Sequence, residues 1–277
     1  MRLCYQVATP DVARSFSVTA YQGNLQDSLA DLAAFGYDAV ELMVRDIRGI
    51  DRRALERALQ RNGLSVSLLC TGEIFGQGGL NLSDPEMAVR EATEEKVRET
   101  IDLAASLGAN INIGRVRGNY CDAMAPEETR FLAAEALRRL AVYADRKHVW
   151  IALEPITMLQ SRFLNTVEEA ARFADQVGAT NVGYMMDLFH MNIEETDLIN
   201  TIRRFGARCL HVHLADNNRR FAGAGNLDFQ QIICSFHDCG YAGDFCAEIW
   251  QLPDQASAAQ SMISHLQPVF AQAYGRK

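Results

Sequence analysis

Eight short apolar runs alternate with eight longer amphipathic stretches, glycines close several helix-to-strand junctions, and no proline- or serine-rich linker interrupts the series. These observations predict an α/β protein, a single (β/α)8 TIM barrel over residues 1–277. The strand-like runs are Leu3 to Val7, Ala39 to Val44, Val66 to Thr71, Ile111 to Val116, Trp150 to Pro155, Val182 to Leu188, Leu210 to Ala215 and Phe245 to Trp250. They are nearly continuous in apolar character, as parallel strands covered by helices should be. Helices are expected near 24–35, 51–62, 86–107, 127–146, 166–177, 195–205, 228–238 and 256–272. Gly36, Gly63, Gly108 and Gly240 follow helix ends, where a left-handed cap turns the chain back. Ser83 to Glu86, Thr166 to Glu169 and Asp228 offer capping side chains or acidic first-turn residues at helix starts. A chain of 277 residues fits one barrel, although length alone permits two smaller domains. The unbroken alternation favours the barrel, also over a doubly wound open sheet.

The balance of charge narrows the function. A net charge of −8 and a pI near 5.3 oppose binding to a polyanion, because nucleic-acid affinity depends on lysine and arginine neutralising phosphates. No segment approaches the roughly 18 uninterrupted apolar residues of a membrane span, and the amino terminus has no signal-peptide core. A cytoplasmic protein is therefore expected. The seven cysteines form no Cys-x-x-Cys pair, and an odd count makes a poor disulfide framework.

Four polar residues close apolar runs rather than interrupting them: Glu154, Asp187, His213 and Glu248. In a (β/α)8 barrel, strand ends are where loops surround the cavity and catalytic groups gather. Three carboxylates and one imidazole make a hard, mostly oxygen site, matched to Mn²⁺, Mg²⁺ or Co²⁺ better than a thiolate set, with Zn²⁺ still open. His211 shares an inward face with His213, since strand residues two apart point the same way. His213 is nearer the strand end and is read as the ligand, His211 as a buried hydrogen-bonding histidine. His148, His237 and His265 fall on helices and read as ordinary surface or packing residues.

Taken with these four, the stretches Glu154-Pro155, Asn165-Thr166, Asp187 to Glu195, His211 to Asp216 and Gly223 to Asp228 resemble the xylose-isomerase-like superfamily of sugar isomerases and epimerases. Within it they are most similar to the ketose 3-epimerase branch. Val44-Arg45-Asp46, Thr71-Gly72, Gly79-Leu80 and Gly114 to Gly118 resemble the 5-keto-L-gluconate 3-epimerases. The resemblance implies one divalent ion, Mn²⁺ favoured, on Glu154, Asp187, His213 and Glu248, with Glu154 and Glu248 also acting as the acid/base pair. It further implies that His190 and Arg219 contact substrate oxygens, and that the protein is a dimer or tetramer. The chemistry implied is C3 epimerisation of a ketose or keto sugar acid through a cis-enediolate. Two carboxylates can remove a carbon-bound proton from one face and return one to the other. An aldose-ketose or hydroxypyruvate-type isomerase would use the same site, and an endonuclease IV-like phosphodiesterase is the distant alternative.

Three further positions bear on the substrate. Arg115 and Arg117 follow the fourth strand, where a guanidinium clamp for a carboxylate or phosphate would sit. Gly223-Ala-Gly225 either presents backbone N–H groups to an anion or is a short loop before a helix. Relatives carry a glutamate six residues after the strand-five ligand, a side chain the resemblance places at the substrate's carbonyl end; here Gln160 stands there. Loss of that negative charge leads to the expectation of an anionic substrate.

Overall fold

The structure is a computed structural model that describes residues 1–275. Its strands are β1 (Leu3–Ala8), β2 (Ala39–Met43), β3 (Ser65–Cys70), β4 (Asn110–Ile113), β5 (Ile151–Leu153), β6 (Val182–Tyr184), β7 (Met186–Asp187), β8 (His211–Leu214) and β9 (Asp244–Ala247). All pair in parallel, in the order β6-β5-β4-β3-β2-β1-β9-β8-β7. The two ends of this sheet, β6 and β7, are separated only by Met185, so the sheet closes on itself. The Met185 N–H donates to Leu153 O, and the Leu210 N–H donates to Tyr184 O, so this one run bonds both neighbours. The nine segments are thus the eight expected barrel strands, the sixth being split.

The helices are α1 (Leu25–Phe35), α2 (Arg52–Arg61), α3 (Gly72–Gly76), α4 (Met87–Ser106), α5 (Pro126–Asp145), α6 (Val167–Val177), α7 (Leu188–Glu194), α8 (Leu198–Phe205), α9 (Phe229–Asp238) and α10 (Gln255–Tyr274). The expected glycine caps are present: Gly36, Gly63, Gly108 and Gly240 all have positive φ. Thr166 and Glu169 form a reciprocal capping box, and Asp228 accepts from the Gln231 N–H. Three features differ from expectation. The helix expected near 195–205 starts only at Leu198, because Glu195 is extended and Asp197 caps the helix by accepting from the Asn200 N–H. A separate short helix, α7, precedes it over residues where no helix was expected. The short helix α3 follows β3, where only a loop was expected. Among the described residues, no helix is long and apolar enough to cross a membrane, and all seven cysteines are free thiols.

Strand alternation sorts the side chains. Leu3, Tyr5, Val7, Val40, Leu42, Ile111, Ile113, Ile151 and Leu153 join the large apolar cluster shared with the helices. Each such buried side chain contributes about 1.5–3 kcal/mol. The intervening residues meet inside the barrel, where small apolar groups such as Cys4, Ala39 and Cys246 pack together. Above them lies a buried polar layer that includes Gln6, Glu41, Asn112 and His211.

Candidate active site

The four predicted residues converge at the carboxyl ends of the strands. Asp187 ends β7, His213 lies in β8, and Glu154 and Glu248 immediately follow β5 and β9. Their backbones stay in register, since the Glu154 and Glu248 N–H groups donate to Ile113 O and Leu214 O. One ligand atom from each of the four lies within 4.8 Å of the others. His213 Nδ1 is 3.2 Å from Glu154 Oε1, 3.5 Å from Asp187 Oδ2 and 3.1 Å from Glu248 Oε2. That nitrogen is buried and makes no hydrogen bond, so lone pairs converge on a common point. Three carboxylates and an orphaned imidazole nitrogen are a donor set that fits a divalent cation.

The other atoms of these groups are anchored. His213 Nε2 donates to Glu41, 3.0 Å away, which leaves Nδ1 free to act as a ligand. Glu41 also accepts from His211 Nε2 at 2.9 Å and from Gln6 Nε2 at 2.8 Å, so His211 has the hydrogen-bonding place expected of it. Asn112 donates to Glu154 Oε2, and Thr19 to Glu248 Oε1, both outside the cluster. Gly114 is required here: a Cβ on it would lie 2.5 Å from Glu154 Oε2. Sequence reading missed Glu41, Asn112, Gln6 and Thr19. The signal available for Glu41 was a charge inside the apolar run Ala39-Val40-Glu41-Leu42-Met43.

The carboxylates are electrostatically unequal. Burial raises the pKa of Glu154 despite the opposing His213. Burial acts on Glu248 in the same direction, but Arg219 and His213 hold it down to about 2. Asp187, equally buried, is held well below the usual carboxylate range by Arg219 and His190. The Arg219 guanidinium reaches both Asp187 and Glu248, and stacks 4.7 Å from the centre of the Phe189 ring. Burial pulls the His213 pKa down, yet Glu41 and Glu248 override it and place the pKa well above the ordinary value.

A cavity of about 390 Å³ opens over these groups, lined also by His190, Gln160 and Arg115. Arg117 does not form the expected anion clamp. It is fully buried, and its guanidinium donates to the carbonyls of Gly114, Glu154, Phe163 and Leu164, so it ties loops together and has no face toward the cavity. The Gly223 to Gly225 loop has no free anion seat either. Asp216 Oδ2 already accepts from the Gly223 and Gly225 N–H groups.

A closed parallel barrel with a carboxylate-histidine cluster at its mouth places the chain in a definite class. Residues 29–267 match the Xylose isomerase-like TIM barrel family, and the chain belongs to it. Its similarity within that family is to sugar epimerases. The L-ribulose 3-epimerase of Mesorhizobium japonicum is 29% identical over 235 residues, which cover 84% of this chain and 78% of that protein. The ketose 3-epimerase of Arthrobacter globiformis is 28% identical over 210 residues, covering 75% and 71% of the two chains. A solved structure of an L-ribulose 3-epimerase superposes with a TM-score of 0.83 at 25% identity, over 98% of this chain and 95% of that one.

Proposed function

We propose that this chain is a divalent-metal-dependent epimerase that inverts C3 of a ketose-type sugar. The observation that carries the reading is the unbonded His213 Nδ1, buried among Glu154, Asp187 and Glu248 at 3.1–3.5 Å. The similarity to ketose 3-epimerases supports it. Glu154, Asp187, His213 and Glu248 would hold the ion, and the oxygen-rich set favours Mn²⁺. Once bound, the ion would stabilise the negative charge that builds on the substrate oxygens of the enediolate.

The protein supplies the proton transfers. Glu154 and Glu248 enter from strands on different sides of the barrel, and each keeps one oxygen fixed by Asn112 or Thr19. In one direction Glu248, held ionised by Arg219, removes the C3 proton while Glu154, raised by burial, delivers one to the opposite face. The reverse reaction exchanges the roles. His190, Arg219, Gln160 and Arg115 line the same cavity, and this reading gives them the substrate to bind. A homo-oligomer accompanies this reading through the family resemblance.

The test is solvent-deuterium exchange followed by NMR with Mn²⁺ and a panel of ketoses. The wild-type protein should take up deuterium at C3, and Glu154→Gln or Glu248→Gln should abolish uptake while the circular-dichroism spectrum is unchanged. Label arriving with an aldose product instead would make the enzyme an isomerase. Undiminished exchange in either variant would remove the acid/base pair.

A further inference from the structure

A second charged feature of the cavity is made of residues outside the metal-ligand set. Glu73 on α3 and Arg115, just beyond β4, pair at 2.7 Å and both line the cavity. The pair is built in. A Cβ on Gly76 would come 2.8 Å from Arg115 Nη2 and 2.8 and 2.9 Å from the two Glu73 oxygens, so a larger residue there would push the pair out of this arrangement. The start of α3 is indexed to the catalytic carboxylate: the Thr71 N–H and hydroxyl donate to Asn112, whose amide donates to Glu154. With the helix side filled, the remaining exposure of the pair is 32% for the Arg115 side chain and 7% for Glu73.

Resting on the epimerase reading, we propose that Glu73 and Arg115 form a distal subsite that recognises a neutral, hydroxylated end of the sugar and disfavours an anionic one. A lone arginine suits a carboxylate, which only accepts hydrogen bonds. An arginine beside a glutamate suits a hydroxyl, which accepts from the first and donates to the second. Glu73 also places a negative charge on the wall that a substrate carboxylate would have to approach. Gln160 removes a negative charge from one wall, but Glu73 supplies one on another. On this proposal the substrate end at Glu73 is neutral, in place of the anionic one expected from Gln160.

The experiment compares a neutral ketohexose with its terminal-carboxylate analogue, using the Mn²⁺-loaded protein. The wild-type protein should prefer the neutral sugar in kcat/KM. Arg115→Met should raise KM for it about tenfold, the worth of one charge-assisted hydrogen bond, with the loss falling on KM rather than kcat. Glu73→Gln should move the preference about tenfold toward the carboxylate by freeing Arg115 of its internal counter-ion. Equal or better turnover of the acid by the wild type, or a KM within twofold in Arg115→Met, overturns the proposal. Calorimetric binding of a hexitol, which cannot be epimerised, separates the two claims. If no ketose reacts yet hexitol binding weakens in Arg115→Met, the epimerase reading fails and the subsite stands. Hexitol binding that is unchanged in both variants removes the subsite.

Discussion

The two nitrogens of His213 have different tasks because their surroundings differ. Nε2 meets the buried carboxylate of Glu41 and must donate to it, whereas Nδ1 meets three carboxylate oxygens without a hydrogen bond. His190 illustrates the opposite balance. Its Nδ1 is buried without a partner, and burial, opposed by Asp187, lowers its pKa to about 4. On acidification the unfolded chain therefore takes up this proton first, near the free value of about 6.5. Its stabilising contribution is complete above that pH and is lost as pH falls toward 4, by ~3 kcal/mol at the limit. In denaturant unfolding of the metal-free protein, His190→Gln should lose less stability than the wild type between pH 6.5 and 4. Parallel pH profiles would contradict this account of His190.

At the scale of elements, loops after strands are held by single long side chains. Arg117 gathers four carbonyl oxygens from the ends of β4 and β5 and from the loop at residues 163–164, and burial lowers its pKa to about 10 while leaving it charged at neutral pH. Each buried carbonyl left without a donor costs about 1–3 kcal/mol. Of the four, only Glu154 O has no other donor among the described residues, so Arg117→Met should destabilise the protein by about 1–3 kcal/mol, read as a lower urea midpoint. Lysine should not rescue it, because one ammonium cannot reproduce the planar fork. A midpoint within error of the wild type would show that the carbonyls find water instead.

Barrel closure is a property of the whole molecule, and it makes the site. Glu154 and Glu248 are 94 residues apart in sequence, yet both lie within the same 4.8 Å cluster. Such a cluster exists only in the folded chain, so metal binding and folding are linked. With Mn²⁺ at about 100 times its Kd, linkage adds ~2.7 kcal/mol, or roughly 5–10 °C in Tm for a chain of this size. A chelator should remove the gain, and Glu248→Gln should reduce it. The gain should also shrink as pH falls, because the raised pKa of His213 means that the ion displaces a proton there. A Tm unaffected by Mn²⁺ at any pH would argue against a metal on these residues.

Alternation, caps and strand ends were legible along the chain because they follow from local rules: strand period, glycine at left-handed turns and side-chain acceptors at helix starts. Those rules alone located Glu154, Asp187, His213 and Glu248 and predicted the barrel that joins them. Pairing in space was not legible. The roles of Arg115 and Arg117 looked interchangeable in Gly114-Arg-Val-Arg-Gly118, yet one faces the cavity beside Glu73 and the other is enclosed by carbonyls. Likewise nothing local linked Glu41 to His213, or Asp216 to the Gly223 loop. Desolvation and hydrogen-bond partners depend on which distant segments arrive at one place, and only the tertiary structure brings them there.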